Sequence, residues 1–314
     1  MSALFQPFTL KDVSLRNRIA VPPMCQYSAN DGLINEWHLA NYTSQARGGA
    51  GLVIVEATAV SPEGRITPGC AGIWNDQLAE AFVPVVRGIK ANGAVPGIQI
   101  AHAGRKASAN RPWEGDDHIP NDAANGWQTI APSAIPFGAH LPKVPEAMTL
   151  QDIERVKADF VAAARRALAV GFEWLELHFA HGYLAQSFFS PHANQRTDAY
   201  GGSADNRSRF LWGVIDRHMR GVFCYRLLQC FSHFYLLFYG LRMNEMKQVM
   251  LPLPVTLPAT LRYLSTVPET VARSAPIVEP WSANVMRSAH EASFALSRTL
   301  ATKALKPDMA VTCK

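Results

Sequence analysis

The sequence has no glycine after Gly240, although the chain of 314 residues contains 21 of them. A backbone cradle for phosphate normally needs glycine, because glycine allows close approach and a positive φ angle. We therefore expect no phosphate cradle in residues 241–314. Residues 251–258 also contain three prolines, which argues against a central strand there.

Cysteine is scarce, and most of the chain has no excess of either charge. The five cysteines show no spacing typical of metal ligands, which favours a reduced, cytoplasmic protein without a metal site. Residues 1–220 carry 20 basic and 20 acidic side chains, so the net charge of +5 lies entirely in residues 221–314. The charge of residues 1–220 thus gives no reason to expect nucleic-acid binding. Residues 1–9 lack a basic start followed by an apolar run, so we expect no secretory signal.

Apolar strands alternate with amphipathic helices through residues 1–220, which predicts a parallel sheet covered by helices. No glycine-rich fingerprint follows the first strand, so a barrel is favoured over a doubly wound sheet. The proline- and glycine-rich residues 103–147 are expected to form a functional loop. The predicted strands are residues 19–21, 52–55, 95–100 and 174–178, and the predicted helices are residues 36–47, 76–91, 150–170 and the segment that Ser203 caps.

Two histidines and a tyrosine follow the strand at residues 174–178. In an α/β barrel such a position faces the active-site mouth. His178 and His181 could polarise a carbonyl or nitro oxygen of a substrate, and Tyr183 could then deliver a proton. Two alternatives remain from the residues alone. The histidines could have a purely structural role at a strand end, with their ring nitrogens hydrogen-bonded there, or they could bind a metal. The metal is disfavoured because no third ligand is evident.

Other candidate residues are weaker when each is taken alone. Cys25 and Tyr27 follow a strand and two prolines, and such residues more often pack in a core than react. Gln99 lies in a strand of small and apolar residues, so it either anchors the sheet or binds a planar ligand. Trp113 and Trp127 in the long loop could form lids or pack on the surface.

Taken together, these motifs resemble the Old Yellow Enzyme family of FMN-dependent ene-reductases, and Cys25 resembles the thermophilic-type branch. The resemblance covers about residues 3–218. The segments that carry it are residues 22–27 (PPMCQY), 55–60 (VEATAV), 99–105 (QIAHAGR), 178–183 (HFAHGY), 196–203 (RTDAYGGS), 206–207 (NR) and 209–210 (RF).

The resemblance implies a (β/α)8 TIM barrel with FMN at its C-terminal face. It also implies NADPH or NADH as reductant and an enone, enal or nitro compound as the small-molecule substrate. His178 and His181 would hold the substrate oxygen, and Tyr183 would protonate the α carbon. The residues implied at the flavin are Pro22, Pro23, Met24 and Cys25, with Cys25 tuning its potential, together with Ala57 and Gln99 at the ring; Tyr27 would line the substrate pocket.

After residue 218 the resemblance is expected to end. Residues 221–314 are too few for four further strand–helix units of roughly 30 residues each. We therefore predict two parts: residues 1–220 as the first four units of an FMN-binding barrel, and residues 221–314 as an irregular tail. The chain is then either an ene-reductase or a truncated remnant without activity. The homo-oligomer usual in the family is not expected here.

Residues 221–241 are long enough to cross a membrane. A membrane-tethered protein is therefore a third hypothesis, beside the ene-reductase and the truncated remnant. Arg226, Gln229 and His233 would each be costly at the centre of a bilayer. A membrane span is therefore the least favoured of the three.

Overall fold

The computed structural model describes residues 2–10, 12–215 and the backbone of 227–230. The remainder of the predicted tail lies outside the described residues. The strands are β1 (Phe8–Leu10), β2 (Val13–Leu15), β3 (Ala20–Val21), β4 (Leu52–Ala59), β5 (Val95–Ala101), β6 (Ile130–Ala131), β7 (Glu146–Ala147), β8 (Trp174–His178) and β9 (Leu227–Cys230). The helices are α1 (Glu36–Arg47), α2 (Asp76–Glu80), α3 (Val83–Ala91), α4 (Leu150–Ala169), α5 (Leu184–Phe189) and α6 (Ala204–Val214).

The main sheet has the order β3-β4-β5-β8-β9, and every neighbouring pair is parallel. In a doubly wound sheet the strand order would reverse partway, whereas here it follows the chain. The sheet is therefore of the barrel type, as the alternating pattern predicted. β9 adds a fifth parallel strand to the four that were predicted.

Helices cover the outer face of the sheet and bury an apolar core. Leu175 and Leu177 of β8 are fully buried in the same cluster as Phe82 and Phe160 from the helical side. Glu176 alternates with these leucines, so it points to the other face. This confirms the predicted orientation of β8, with apolar residues toward the helices.

Helix α4 begins and ends as its sequence predicts. Thr149 Oγ1 accepts the N–H of Asp152 (3.1 Å), and Asp152 Oδ2 accepts the N–H of Thr149 (2.8 Å), which completes a capping box. Met148 and Ile153 are both buried at this end, as a hydrophobic staple requires. Gly171 follows the helix with φ of +100° and turns the chain into β8.

Two local features differ from expectation. The predicted helix 76–91 is two helices, because Pro84 occupies the first turn of α3 and starts a new helix there. The antiparallel pair β1–β2 was not predicted, since its strands have three residues each. Its Val13 and Leu15 pack on Trp174 at the amino end of β8, so this pair closes the amino end of the sheet.

The residues proposed as a membrane span are only partly described. Four of them, Leu227–Cys230, form strand β9 and pair with β8, while the rest of 221–241 lies outside the described residues. Among the helices that the structure describes, none has the length and apolar character needed to span a membrane.

Candidate active site

The carboxyl ends of β3, β4, β5 and β8 bring the predicted residues to one end of the sheet. Register places Ala57 opposite Gln99, and Gln99 opposite Glu176, across β4, β5 and β8. His178 is the last residue of β8. Because the β1–β2 pair covers the opposite end, this end is the mouth of the part of the fold that the structure describes.

His178, His181 and Tyr183 form one cluster at the end of β8. His178 Nε2 lies 3.4 Å from His181 Nδ1. The Tyr183 ring meets the His178 ring edge to face, with 4.6 Å between centroids. His181 and Gly182 have φ of +56° and +77°, so the chain turns sharply and returns Tyr183 to His178. Glycine is suited to the second of these positions because it carries no Cβ.

Burial sets the protonation states of this cluster. Burial, followed by the nearby His181 and Lys106, lowers the pKa of His178 to about 3. Burial also raises the pKa of Tyr183 well above its ordinary value of 10. At neutral pH His178 is therefore a neutral imidazole and Tyr183 a protonated phenol. The N–H of Ala180 donates to His178 Nδ1 (3.4 Å), which leaves the imidazole proton on Nε2.

Lys106 also lies at this cluster, and the sequence reasoning did not single it out. Its Nζ donates to the carbonyl oxygen of His181 (3.1 Å) and lies 4.9 Å from the centre of the Tyr183 ring. Phe137 of the long loop packs on the same ammonium group at 4.5 Å. The position of Lys106, directly after the motif at residues 99–105, was the signal that could have identified it.

Cys25 and Tyr27 reach the cluster from the segment after β3. Tyr27 and Cys25 share a side-chain hydrogen bond, and both lie close enough to Tyr183 to contribute to the rise of its pKa. Burial, then the charges of Cys70 and Glu56, raises the pKa of the Cys25 thiol, so this cysteine is protonated. A protonated thiol is a poor nucleophile, which argues against covalent chemistry at Cys25.

Gln99 is buried beside Glu176 on the neighbouring strand. Its Nε2 donates to Glu176 Oε1 at 2.6 Å, a short bond to a buried carboxyl group. This contact fixes the plane of the amide. The sequence left two roles open for Gln99, an anchor of the sheet or a contact to a planar ligand. The hydrogen bond to Glu176 is compatible with both, because an amide anchored in this way can also present its carbonyl oxygen to a ligand.

Pro22 and Met24 are exposed at the carboxyl end of β3, and Met24 is 48% exposed. Pro23 and Cys25 between and beside them are half-buried. Exposed apolar residues after β3 and a fixed amide on β5 lie at the same end of the sheet. Such a set of groups fits a flat heterocycle with polar edges, such as the isoalloxazine ring of a flavin. No group of three His, Cys, Asp or Glu within residues 2–10 and 12–215 is placed to hold a metal ion.

The two tryptophans of the long loop differ in their surroundings. Trp113 is 68% exposed and meets the Tyr27 ring edge to face, with 5.8 Å between centroids. Trp127 instead donates its Nε1–H to the carbonyl oxygen of Glu63 (3.1 Å) and stacks with Arg65. Trp113 thus lies beside Tyr27, whereas Trp127 packs on the neighbouring loop.

Comparison with known proteins gives a consistent result. The sequence pattern of the NADH:flavin oxidoreductase / NADH oxidase family matches residues 3–254, which extends the resemblance beyond residue 218. An NADPH dehydrogenase of Bacillus velezensis is 47% identical over 215 residues, 68% of this chain and 59% of that protein. An NADH:flavin oxidoreductase of Gibberella zeae is 45% identical over 215 residues, which are 68% of this chain and 52% of that protein.

Solved structures agree with the sequence matches. Morphinone reductase superposes with a TM-score of 0.63 at 31% identity, covering 72% of this chain and 61% of that one. The Old Yellow Enzyme from Pichia sp. gives 0.64 at 32% identity, covering 72% and 58%. The chain therefore spans between half and two thirds of the length of these relatives.

Proposed function

Because the chain belongs to the NADH:flavin oxidoreductase / NADH oxidase family, we propose that it is an FMN-dependent, NAD(P)H-oxidising reductase of the Old Yellow Enzyme type. Its substrates are small molecules with an activated C=C bond, such as enones and enals, or nitro compounds. The observation that carries this proposal is the cluster of two imidazoles and one protonated phenol at the carboxyl end of β8. We place the protein in the cytoplasm, without a nucleic-acid or membrane partner.

The histidines bind and polarise the substrate oxygen. His178 is neutral and carries its proton on Nε2, which faces His181. A carbonyl or nitro oxygen that binds beside the two rings accepts this N–H, and His181 supplies a second donor. Because the site is buried, such hydrogen bonds stabilise developing negative charge on the oxygen more strongly than they would in water.

Tyr183 supplies the proton for the α carbon. Its phenol stays protonated through the neutral pH range, since burial raises its pKa. Contact with the His178 ring holds the phenol beside the bound oxygen. A positioned acid of this kind typically accelerates proton transfer by roughly 10²–10⁴-fold.

The cofactor site is proposed for the mouth of the sheet. Pro22, Pro23 and Met24 would lie along the flavin, Cys25 would tune it, and Ala57 and Gln99 would contact its ring. Tyr27 would line the substrate pocket. Once reduced by NADPH or NADH, a bound FMN would supply the hydride that reduces the β carbon of the substrate.

Purification of the full chain with added FMN tests the proposal. We expect visible flavin absorbance that remains with the protein through gel filtration. We also expect NADPH or NADH consumption that depends on an added enone. A colourless protein that takes up no FMN would contradict the proposal and favour the alternative of a non-catalytic remnant. The protein is expected in the soluble fraction after cell lysis. Its recovery in the membrane fraction would instead favour the hypothesis of a membrane-tethered protein.

A further inference from the structure

Glu56 is a fully buried carboxylic acid in β4, whose eight residues are all buried. An ionisable side chain in such a place is costly unless its oxygens are hydrogen-bonded. The pairing of β4 with β5 shifts its register between Val55 and Ala57, so Glu56 forms a bulge with no partner residue opposite. Bulges often redirect a side chain next to a functional site.

The carboxyl group of Glu56 connects three separate parts of the fold. Oε2 accepts the backbone N–H of Gln26 at 2.9 Å, and the backbone N–H of Tyr27 bonds to the same carboxyl group. Oε1 accepts the hydroxyl of Tyr42 from α1 at 2.8 Å. His38 of the same helix places Nε2 3.5 Å from Oε1.

The segment that Glu56 binds is held in an unfavourable conformation. Tyr27 has φ of +52°, in the left-handed region that an aromatic residue rarely adopts. Such a residue persists when its surroundings over-determine it, and this occurs mainly at functional sites. The carbonyl oxygen of Tyr27 accepts a hydrogen bond from Arg111 Nε at 3.0 Å. Both the backbone N–H and the backbone carbonyl of Tyr27 are therefore held by side chains.

We propose that Glu56 is a positioning residue, which through its contacts with Gln26 and Tyr27 holds residues 25–27 at the mouth of the sheet. Cys25 and Tyr27 are then kept beside Tyr183 by a carboxyl group that does not itself reach the cluster. The functional meaning of this placement rests on the function proposed above, which assigns Cys25 to the flavin and Tyr27 to the substrate pocket.

The accessibility of the Cys25 thiol reports on this placement without any flavin. The full chain is treated with iodoacetamide, and alkylation at Cys25 and Cys70 is followed by peptide mass mapping. Burial raises the pKa of both thiols, so each is alkylated mainly when local opening exposes it to solvent. Cys25 is half-buried and belongs to the segment, whereas Cys70 is 1% exposed and is held by Thr67. The ratio of the two alkylation rates therefore separates local movement of residues 25–27 from general unfolding.

Three variants distinguish position from charge and from general destabilisation. Glu56→Ala removes both acceptor oxygens, so the ratio of Cys25 to Cys70 alkylation should rise roughly tenfold. Glu56→Gln removes the charge but keeps an oxygen that can accept the Gln26 N–H, so its ratio should rise less than about threefold. Tyr42→Phe removes the hydrogen bond to the other oxygen, and its ratio should also rise less than about threefold.

If Glu56→Ala does not fold, Glu56→Asp replaces it as the disruptive variant. Its carboxyl group is one methylene too short to reach Gln26. It should also raise the ratio. The proposal is overturned if the ratio stays at the wild-type value, if Glu56→Gln raises it as much as the disruptive variant, or if Cys70 becomes reactive in step with Cys25. Failure to bind FMN would contradict the proposed function but would leave these ratios unaffected.

Discussion

At the scale of single residues, Tyr183 is where the proposed chemistry depends on one atom. Its hydroxyl hydrogen is the proton delivered to the α carbon, and burial keeps it in place. Tyr183→Phe should lower the rate of enone reduction by roughly 10²–10⁴-fold, because a positioned acid contributes that much. Reduction of the flavin by NADPH should be nearly unchanged. Stopped-flow measurement of the two half-reactions separates these effects.

Tyr200→Phe provides the matched control for that prediction. Tyr200 also donates its hydroxyl hydrogen, to Glu154 Oε1 at 2.9 Å, but it packs against Phe188 on the helical side. Loss of this hydroxyl should leave both half-reactions at the wild-type rate. An equal loss of enone reduction in the two variants would show that removing any buried hydroxyl is enough, and Tyr183 would lose its assigned role.

At the scale of loops and elements, the segment after β3 depends on Gly69. A Cβ at this position would lie 2.3 Å from the Tyr27 carbonyl oxygen and 2.7 Å from Arg111 Nε. Gly69→Ala should therefore push Tyr27 away from Arg111 and destabilise the protein by about 1–3 kcal/mol. Gly138→Ala is the control, because a Cβ at Gly138 meets nothing within 4 Å. Urea unfolding of both variants measures the difference, and equal values would contradict the argument.

Local sequence signals predicted the elements that end in capping residues. Helix α1 begins at Glu36 after the cap Asn35 and ends at Arg47 before Gly48, as the pattern indicated. The predicted helix 76–91 was wrong as a single helix because Pro84 can either interrupt a helix or begin one. Which of the two occurs depends on packing that a local pattern does not encode.

The same distinction applies to the candidate site. His178, His181 and Tyr183 lie within six residues, so one motif was enough to predict that they meet. Glu56 could not be found in this way, because its role depends on a bulge in β4 and on backbone groups 30 residues earlier in the chain. Lys106 likewise reaches His181 across 75 residues of sequence. Contacts of this kind follow from strand register, which residue spacing does not fix.

At the scale of the whole molecule, buried ionisable groups set how stability depends on pH. Burial lowers the pKa of His178 to about 3 and that of His38 to about 4, against an ordinary value of 6.5. Each histidine therefore takes up a proton on unfolding below pH 6.5, so its contribution to stability is lost as pH falls. Burial raises the pKa of Glu56 from 4.5 to about 7, so this group has the opposite effect between those values.

Burial also lowers the pKa of His118, so three histidines act against one glutamate, and protons are taken up on unfolding between pH 5 and 6. The free energy of unfolding should therefore rise with pH across this range and level off above pH 7. Urea unfolding at several pH values measures this slope. In His178→Asn the proton taken up by His178 is absent, so the slope should be smaller than in the wild type by about 1.2 kcal/mol per pH unit between pH 5 and 6. A variant that keeps the wild-type slope would show that His178 is not held neutral by the fold, and the neutral imidazole donor proposed for the substrate oxygen would then have to be abandoned.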